Sequence, residues 1–138
     1  MPTTAVALTG FNVWALALLI LMEAIRSKMV VRKEMQANGF DPGNSNLSPF
    51  MQRLARAHAN CIEGLPIFGG LMLVALVTDR ADATDALAYV FLAARILQSS
   101  IHMVSLSSLA VTFRFLAFAV QLGIAVVWSY AMLQGVQP

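Results

Sequence analysis

Arg53, Arg56, Asn60 and Glu63 recur at steps of three, four and three within RLARAHANCIEGLPIF, residues 53–68. On a helix of 3.6 residues per turn this spacing makes one continuous polar stripe. His58 and Cys61 lie off it, while Leu54, Ile62 and Leu65 cover much of the rest, so the stripe is expected to face protein. Guanidinium groups recognise carboxylates through paired donors, and a carboxylate receives an amine. Arg95, Gln98 and His102 form a second helical set at steps of three and four. Arg26, Arg32 and Arg114 add further cations towards the same end of the chain's spans. Two readings fit these residues. One is a site for a small polar anion carrying an amine for Glu63. The other is hydrogen bonding between helices, with charged anchors at a membrane surface. Glu23 and Arg26, three apart, read as a local helix pair in preference to ligand contacts. Arg114 also fits a snorkelling anchor at the interface.

The elements that carry these side chains are apolar. Of 138 residues, 59% are hydrophobic and 12% charged, where a soluble domain carries about a quarter charged residues. Four apolar stretches, about 5–31, 48–77, 83–105 and 109–133, each approach or exceed the ~20 residues that cross a bilayer as a helix. They predict an all-α fold, an integral membrane four-helix bundle forming a single domain over 1–138. Ser48 and Pro49 suit a helix start, and Pro66 predicts a disturbance just beyond the polar stripe. Gly69 and Gly70 suit a close helix crossing. The first connection holds most of the basic residues and the second, TDRADATD, is acidic. The positive-inside rule therefore puts loop one in the cytoplasm and both termini on the opposite side. The N-terminus lacks a basic n-region, so the first helix reads as a retained span. Counted along the helices, Glu63 and Arg95 lie at similar depths, ~22 and ~18 Å from the acidic-loop end. An unpaired charge at that depth is costly, which predicts a Glu63–Arg95 ion pair.

Several functions are disfavoured. The net charge of +2 with clustered basic residues suits a membrane face and no nucleic-acid partner. His58 and His102 lack metal-ligand spacing, so no metal is expected. Cys61 is the only cysteine, which rules out an intrachain disulfide. No GxSxG motif is present, and no inverted repeat suggests a transporter.

The helix-two stretch resembles the motif of the MAPEG family, the membrane-associated proteins in eicosanoid and glutathione metabolism. The shared pattern is Arg-Ala-His/Gln-x-Asn-x-x-Glu followed by Pro and Phe, here Arg56, Ala57, His58, Asn60, Glu63, Pro66 and Phe68. AARIL at 93–97 resembles the family's helix three, and four spans with a long basic first loop also match. The resemblance implies a homotrimer that binds glutathione, as co-substrate, between neighbouring subunits. It implies that Arg56, Asn60 and Glu63 bind glutathione with Arg53 and His58 nearby, and that Arg95, Gln98 and His102 line the same site. Arg32 is the better match to the family's basic residue after helix one, with Arg26 the alternative. Arg114 matches the arginine that stabilises the glutathione thiolate. Gln98, His102 and Gly64 stand where several members carry tyrosines. These departures speak against specialised eicosanoid chemistry. The implied function is glutathione transfer to a hydrophobic small-molecule or lipid electrophile, with hydroperoxide reduction also open. The alternative is a non-enzymatic membrane scaffold, binding lipid or a protein partner on the same fold. The compact loops suggest a bacterial inner membrane.

Overall fold

A computed structural model describes residues 1–134; residues 135–138 of the expected domain lie outside the described residues. The described elements are α1 (Thr3–Val31), α2 (Pro49–Gly64), a π-helical turn (Leu65–Gly69), α3 (Gly70–Val77), α4 (Asp82–Val104) and α5 (Ser108–Gln134). The segments from Pro49 to Val77 run on as one helix, so four segments are long and apolar enough to cross a membrane. Their bounds differ from the expected ones by a residue or two.

Local chemistry explains the ends. The Ser48 hydroxyl accepts from the Met51 amide at 3.3 Å, with Pro49 in the first turn of α2. Pro66 has no N–H to give to the carbonyl one turn back. The chain absorbs that lost bond by widening into the π turn at Leu65–Gly69 and then resumes as α3. Gly69 does pack closely: a methyl there would lie 3.2 Å from Leu8 of α1. Gly70 does not serve the expected crossing, since a methyl there would meet nothing within 4 Å. Between α4 and α5 the chain is extended at Ser105, and the Ser107 hydroxyl then accepts from the Ala110 amide at 3.2 Å.

Both ends of α1 are tied by side chains from elsewhere. Pro2 gives its first turn no side-chain cap. Asp85 of α4 supplies one: its Oδ1 accepts from the Thr4 amide at 2.7 Å and from the Thr4 hydroxyl at 2.6 Å. At the other end, Arg26 pairs with Glu23 at 2.9 Å, the local pair that their spacing suggests. Arg26 also donates to Asn44 Oδ1. Asn44 is fully buried in loop one and donates to the Met51 carbonyl at 2.8 Å. Loop one thereby clamps the end of α1 to the start of α2.

The spans meet on an aromatic cluster. Phe91 of α4 lies 5.5 Å from Phe11 of α1, 5.1 Å from Phe68 of the π turn and 5.6 Å from Trp128 of α5, ring centre to ring centre. All four rings are buried. The opposite faces carry exposed Ile20, Leu73, Val90 and Val126, as a lipid-facing surface requires. Removing the Asp85 cap leaves orphan donors in the first turn of α1. Asp85→Ala is expected to lower stability by about 1 kcal/mol, read from equilibrium unfolding in detergent; an unchanged midpoint would show that the cap is idle.

Candidate functional site

Three helix segments border a half-open cavity of about 510 Å³. They are residues 56–68 of the second span, 95–102 of α4 and 111–122 of α5. By topology the cavity runs from the end of the bundle nearer loop one, at Arg56 and Arg114, to its middle, at Phe68 and Leu122. The second span contributes Arg56, Asn60, Glu63, Gly64 and Phe68. From α4 come Arg95, Gln98 and His102, and from α5 Arg114 beside Val111, Phe115, Phe118 and Leu122. Seven of the expected site residues thus converge on one space: Arg56, Asn60, Glu63, Arg95, Gln98, His102 and Arg114. Three guanidinium groups face it against the single carboxylate of Glu63. The polar stripe is not packed inside the subunit, since Arg56 and Glu63 are exposed in the single chain while Leu54, Ala57 and Cys61 are buried beneath.

The expected Glu63–Arg95 ion pair does not form; among the described residues the one salt bridge is Arg26–Glu23. Similar depth did not bring the two groups into contact, because rotation about the helix axis also matters. Arg95 turns inward beneath α2 and is 1% exposed. Its guanidinium carbon lies 5.3 Å from the ring centre of Phe11 and 5.4 Å from that of Phe68. Nη1 donates weakly to the Asn60 carbonyl at 3.4 Å, while Nε and Nη2 have no partner. Gly64 makes this position possible: a methyl group there would stand 2.9 Å from Arg95 Nη2.

The remaining polar residues knit the cavity wall. Asn60 and His102 approach at 3.4 Å. Gln98 accepts from the Gln121 amide at 2.9 Å, and that amide also reaches the Ala117 carbonyl at 3.1 Å. Gln121 is fully buried and was not anticipated, although a glutamine inside FLAFAVQLGIAVVW is itself a signal. The apolar wall of α5 was also missed. Val111, Phe115, Phe118 and Leu122 have helical spacing, but in so apolar a helix that spacing does not separate a cavity face from a lipid face.

Arg53 stands just outside. Its Nε donates to the Met103 carbonyl at 2.8 Å and covers the C-terminal end of α4. It lines an adjoining cavity of about 320 Å³ that shares Arg56, His102 and Arg114 with the first. Arg114 Nη1 has no partner. Arg32 and His58 are not brought to this place within the chain. Arg32 lines a separate cavity with Lys28, between the end of α1 and the start of α2. His58 is half-buried, off the stripe, and lines neither cavity of the Arg56 cluster.

Cations with unpartnered donors, a lone carboxylate and an adjoining phenyl wall suit an amphoteric anion set beside an apolar molecule. The MAPEG family model matches residues 4–133, nearly the whole chain. The chain belongs to the MAPEG family. No curated protein and no solved structure gave a match. As a MAPEG protein it is a membrane protein of the glutathione and eicosanoid metabolism family, and Arg56, Asn60, Glu63 and Phe68 of its helix-two motif line the cavity.

A buried guanidinium without a carboxylate partner costs several kcal/mol in desolvation, more than two cation–π contacts and one long hydrogen bond return. Arg95→Met is therefore expected to melt at the wild-type temperature or above it in detergent. A fall of many degrees would assign Arg95 a role in holding the bundle.

Proposed function

We propose that this MAPEG protein is a homotrimeric membrane glutathione transferase acting on lipophilic electrophiles. The observation that carries the reading is one cavity with two kinds of wall: Arg56, Asn60, Glu63 and Arg114 on one side, Phe115, Phe118 and Leu122 on the other. Glutathione has two carboxylates, one amine and a thiol. Arg56 and Arg53 suit its carboxylates, Glu63 its amine, and Asn60, Gln98 and His102 its peptide groups. Arg95 lines the deep wall. Arg114 serves the sulfur. Arg32 and His58, apart from the cavity in one chain, join this site only if a neighbouring subunit brings them there. The trimer is supported by the exposure of Arg56 and Glu63, since charged groups at this depth need protein or ligand around them. The basic loop one supports a cytoplasmic location for the polar mouth, with both termini opposite. The short loops fit a bacterial inner membrane.

The chemistry needs no metal. A free thiol titrates near pH 8.5, and a neighbouring cation in a poorly hydrated site lowers that value. The Arg114 guanidinium holds the thiolate, which attacks an electrophile drawn from the bilayer against the phenyl wall. The same thiolate attacking a hydroperoxide oxygen would form an S–O bond as the O–O bond breaks, releasing the alcohol; a second glutathione then reduces the sulfenic acid to the disulfide with loss of water, which completes peroxidase activity. Exposed Arg56 and Glu63 also fit ion pairs between chains of a non-enzymatic trimer. That second reading requires Glu63→Ala to dissociate the trimer and glutathione to leave its stability unchanged.

Arg114→Ala tests the mechanism. Without the cation the thiol pKa returns upward, so less thiolate exists at neutral pH. The conjugation rate near neutral pH is expected to fall by about 10²-fold, with the rate–pH profile displaced towards about pH 8.5, in a variant that remains trimeric. An undisplaced profile would remove Arg114 from thiolate stabilisation.

A further inference from the structure

Lys28 and Arg32 stand one helical turn apart at the loop-one end of α1, both of them exposed. They line a notch of about 270 Å³ between that end and the start of α2. Glu34 lines it too, yet among the described residues it forms no ion pair with either cation. The turn that ends α1, where the Glu34 amide donates to the Met29 carbonyl at 2.9 Å, keeps residue 34 beside them. Ser48 lines the α2 side; its oxygen accepts from the Met51 amide at 3.3 Å, which leaves the hydroxyl hydrogen to give. Arg26, on another flank of α1, is occupied by Glu23 and Asn44 and takes no part. The notch shares no residue with the cavity of the Arg56 cluster.

One side of the notch is apolar. Ile25 and Leu47 line it. Steps of four, three and four join Arg32, Lys28, Ile25 and Leu21 along a single face of α1. Leu21 is 41% exposed on a helix long and apolar enough to cross a membrane, and lies ~17 Å along the axis from Arg32. A molecule held by its charged end at Lys28 and Arg32 can therefore lay an apolar tail along this face into the bilayer. We infer that the notch is a phospholipid site, and that its preferred occupant carries a primary amine on the headgroup, as phosphatidylethanolamine does. The phosphate sits between Lys28 and Arg32 and accepts from Ser48. The ammonium donates to Glu34, and an acyl chain follows Ile25 and Leu21. A choline headgroup has no N–H for Glu34, and a glycerol headgroup brings no cation to it. Free phosphate would use the charged end alone and leave the apolar side uncovered. The site gives Arg32 a ligand within its own chain and does not depend on the glutathione reading.

The test is native mass spectrometry of the detergent-purified protein. It is titrated with phosphatidylethanolamine, phosphatidylcholine and phosphatidylglycerol of identical acyl chains, and with phosphoethanolamine, the headgroup without its tails. Wild type is expected to bind the ethanolamine lipid most tightly and phosphoethanolamine most weakly. Lys28→Gln and Arg32→Gln are each expected to weaken the ethanolamine lipid by about fivefold, the scale of one interfacial cation. Lys33→Gln, the same change of charge outside the notch, is expected to leave it unchanged. Glu34→Gln is expected to shrink the preference for ethanolamine over choline by about fivefold while phosphate recognition persists. Equal affinities for the three lipids, or a preference for the glycerol headgroup, would overturn the inference. Phosphoethanolamine binding as tightly as the whole lipid would overturn it in favour of a soluble phosphate ligand. Equal losses in Lys33→Gln and Arg32→Gln would remove the notch from the binding. The ranking of the four ligands on wild type decides the question even if a variant fails to fold.

Discussion

A guanidinium group without a counter-ion, held beside two phenyl rings in the interior of a bundle, sets the terms for this structure. Arg95 is 1% exposed and stacks against Phe11 and Phe68. Those rings, together with Phe91, belong to the cluster that joins α1, the second span, α4 and α5. The charge is therefore seated in the contact that holds the helices together, one turn along α4 from its central ring. A stability-driven sequence would fill that position with Met or Leu. With two donors unused, Arg95 costs the isolated subunit desolvation energy that its neighbours do not return.

The surrounding backbone accommodates it. Gly64 clears the space for Nη2, and the π turn that follows brings the Phe68 ring to 5.4 Å from the guanidinium carbon. Pro66 enforces that turn by withholding a helical donor. The polar stripe ahead of it then stays regular, so Arg56, Asn60 and Glu63 share one face towards α4 and α5. Loop one and the Asp85 cap fix the two ends of α1. The site is thus built on long helices with tied termini, which hold its side chains more rigidly than loops would.

The helices were legible in the sequence because membrane spans are written in length and hydropathy, which need no tertiary context. The convergence of Arg56, Asn60 and Glu63 was legible because three- and four-residue steps fix a helix face. Contacts between helices were less so. Equal depth suggested that Glu63 and Arg95 meet, but depth along an axis leaves rotation free, and Arg95 rotates inward over a glycine. Asp85 reads as one acid among several in a loop, and only the fold shows it reaching the first turn of α1. Arg32 reads as part of the basic set, yet the packing of α1 on α2 directs it to another cavity. Gln121 carried a visible signal, since a glutamine in so apolar a run needs a polar neighbour, and Gln98 supplies it.

The most direct test of the account is ligand-dependent thermal stability of the detergent-purified protein, with glutathione and, separately, S-hexylglutathione. A ligand that binds only the folded state raises the melting temperature in proportion to the logarithm of its concentration once saturating. The account predicts a rise with glutathione that grows with the logarithm of its concentration, a rise with S-hexylglutathione as its alkyl chain meets the phenyl wall, and loss of both in Arg56→Ala. A folded protein that melts at the same temperature with and without either ligand would contradict it.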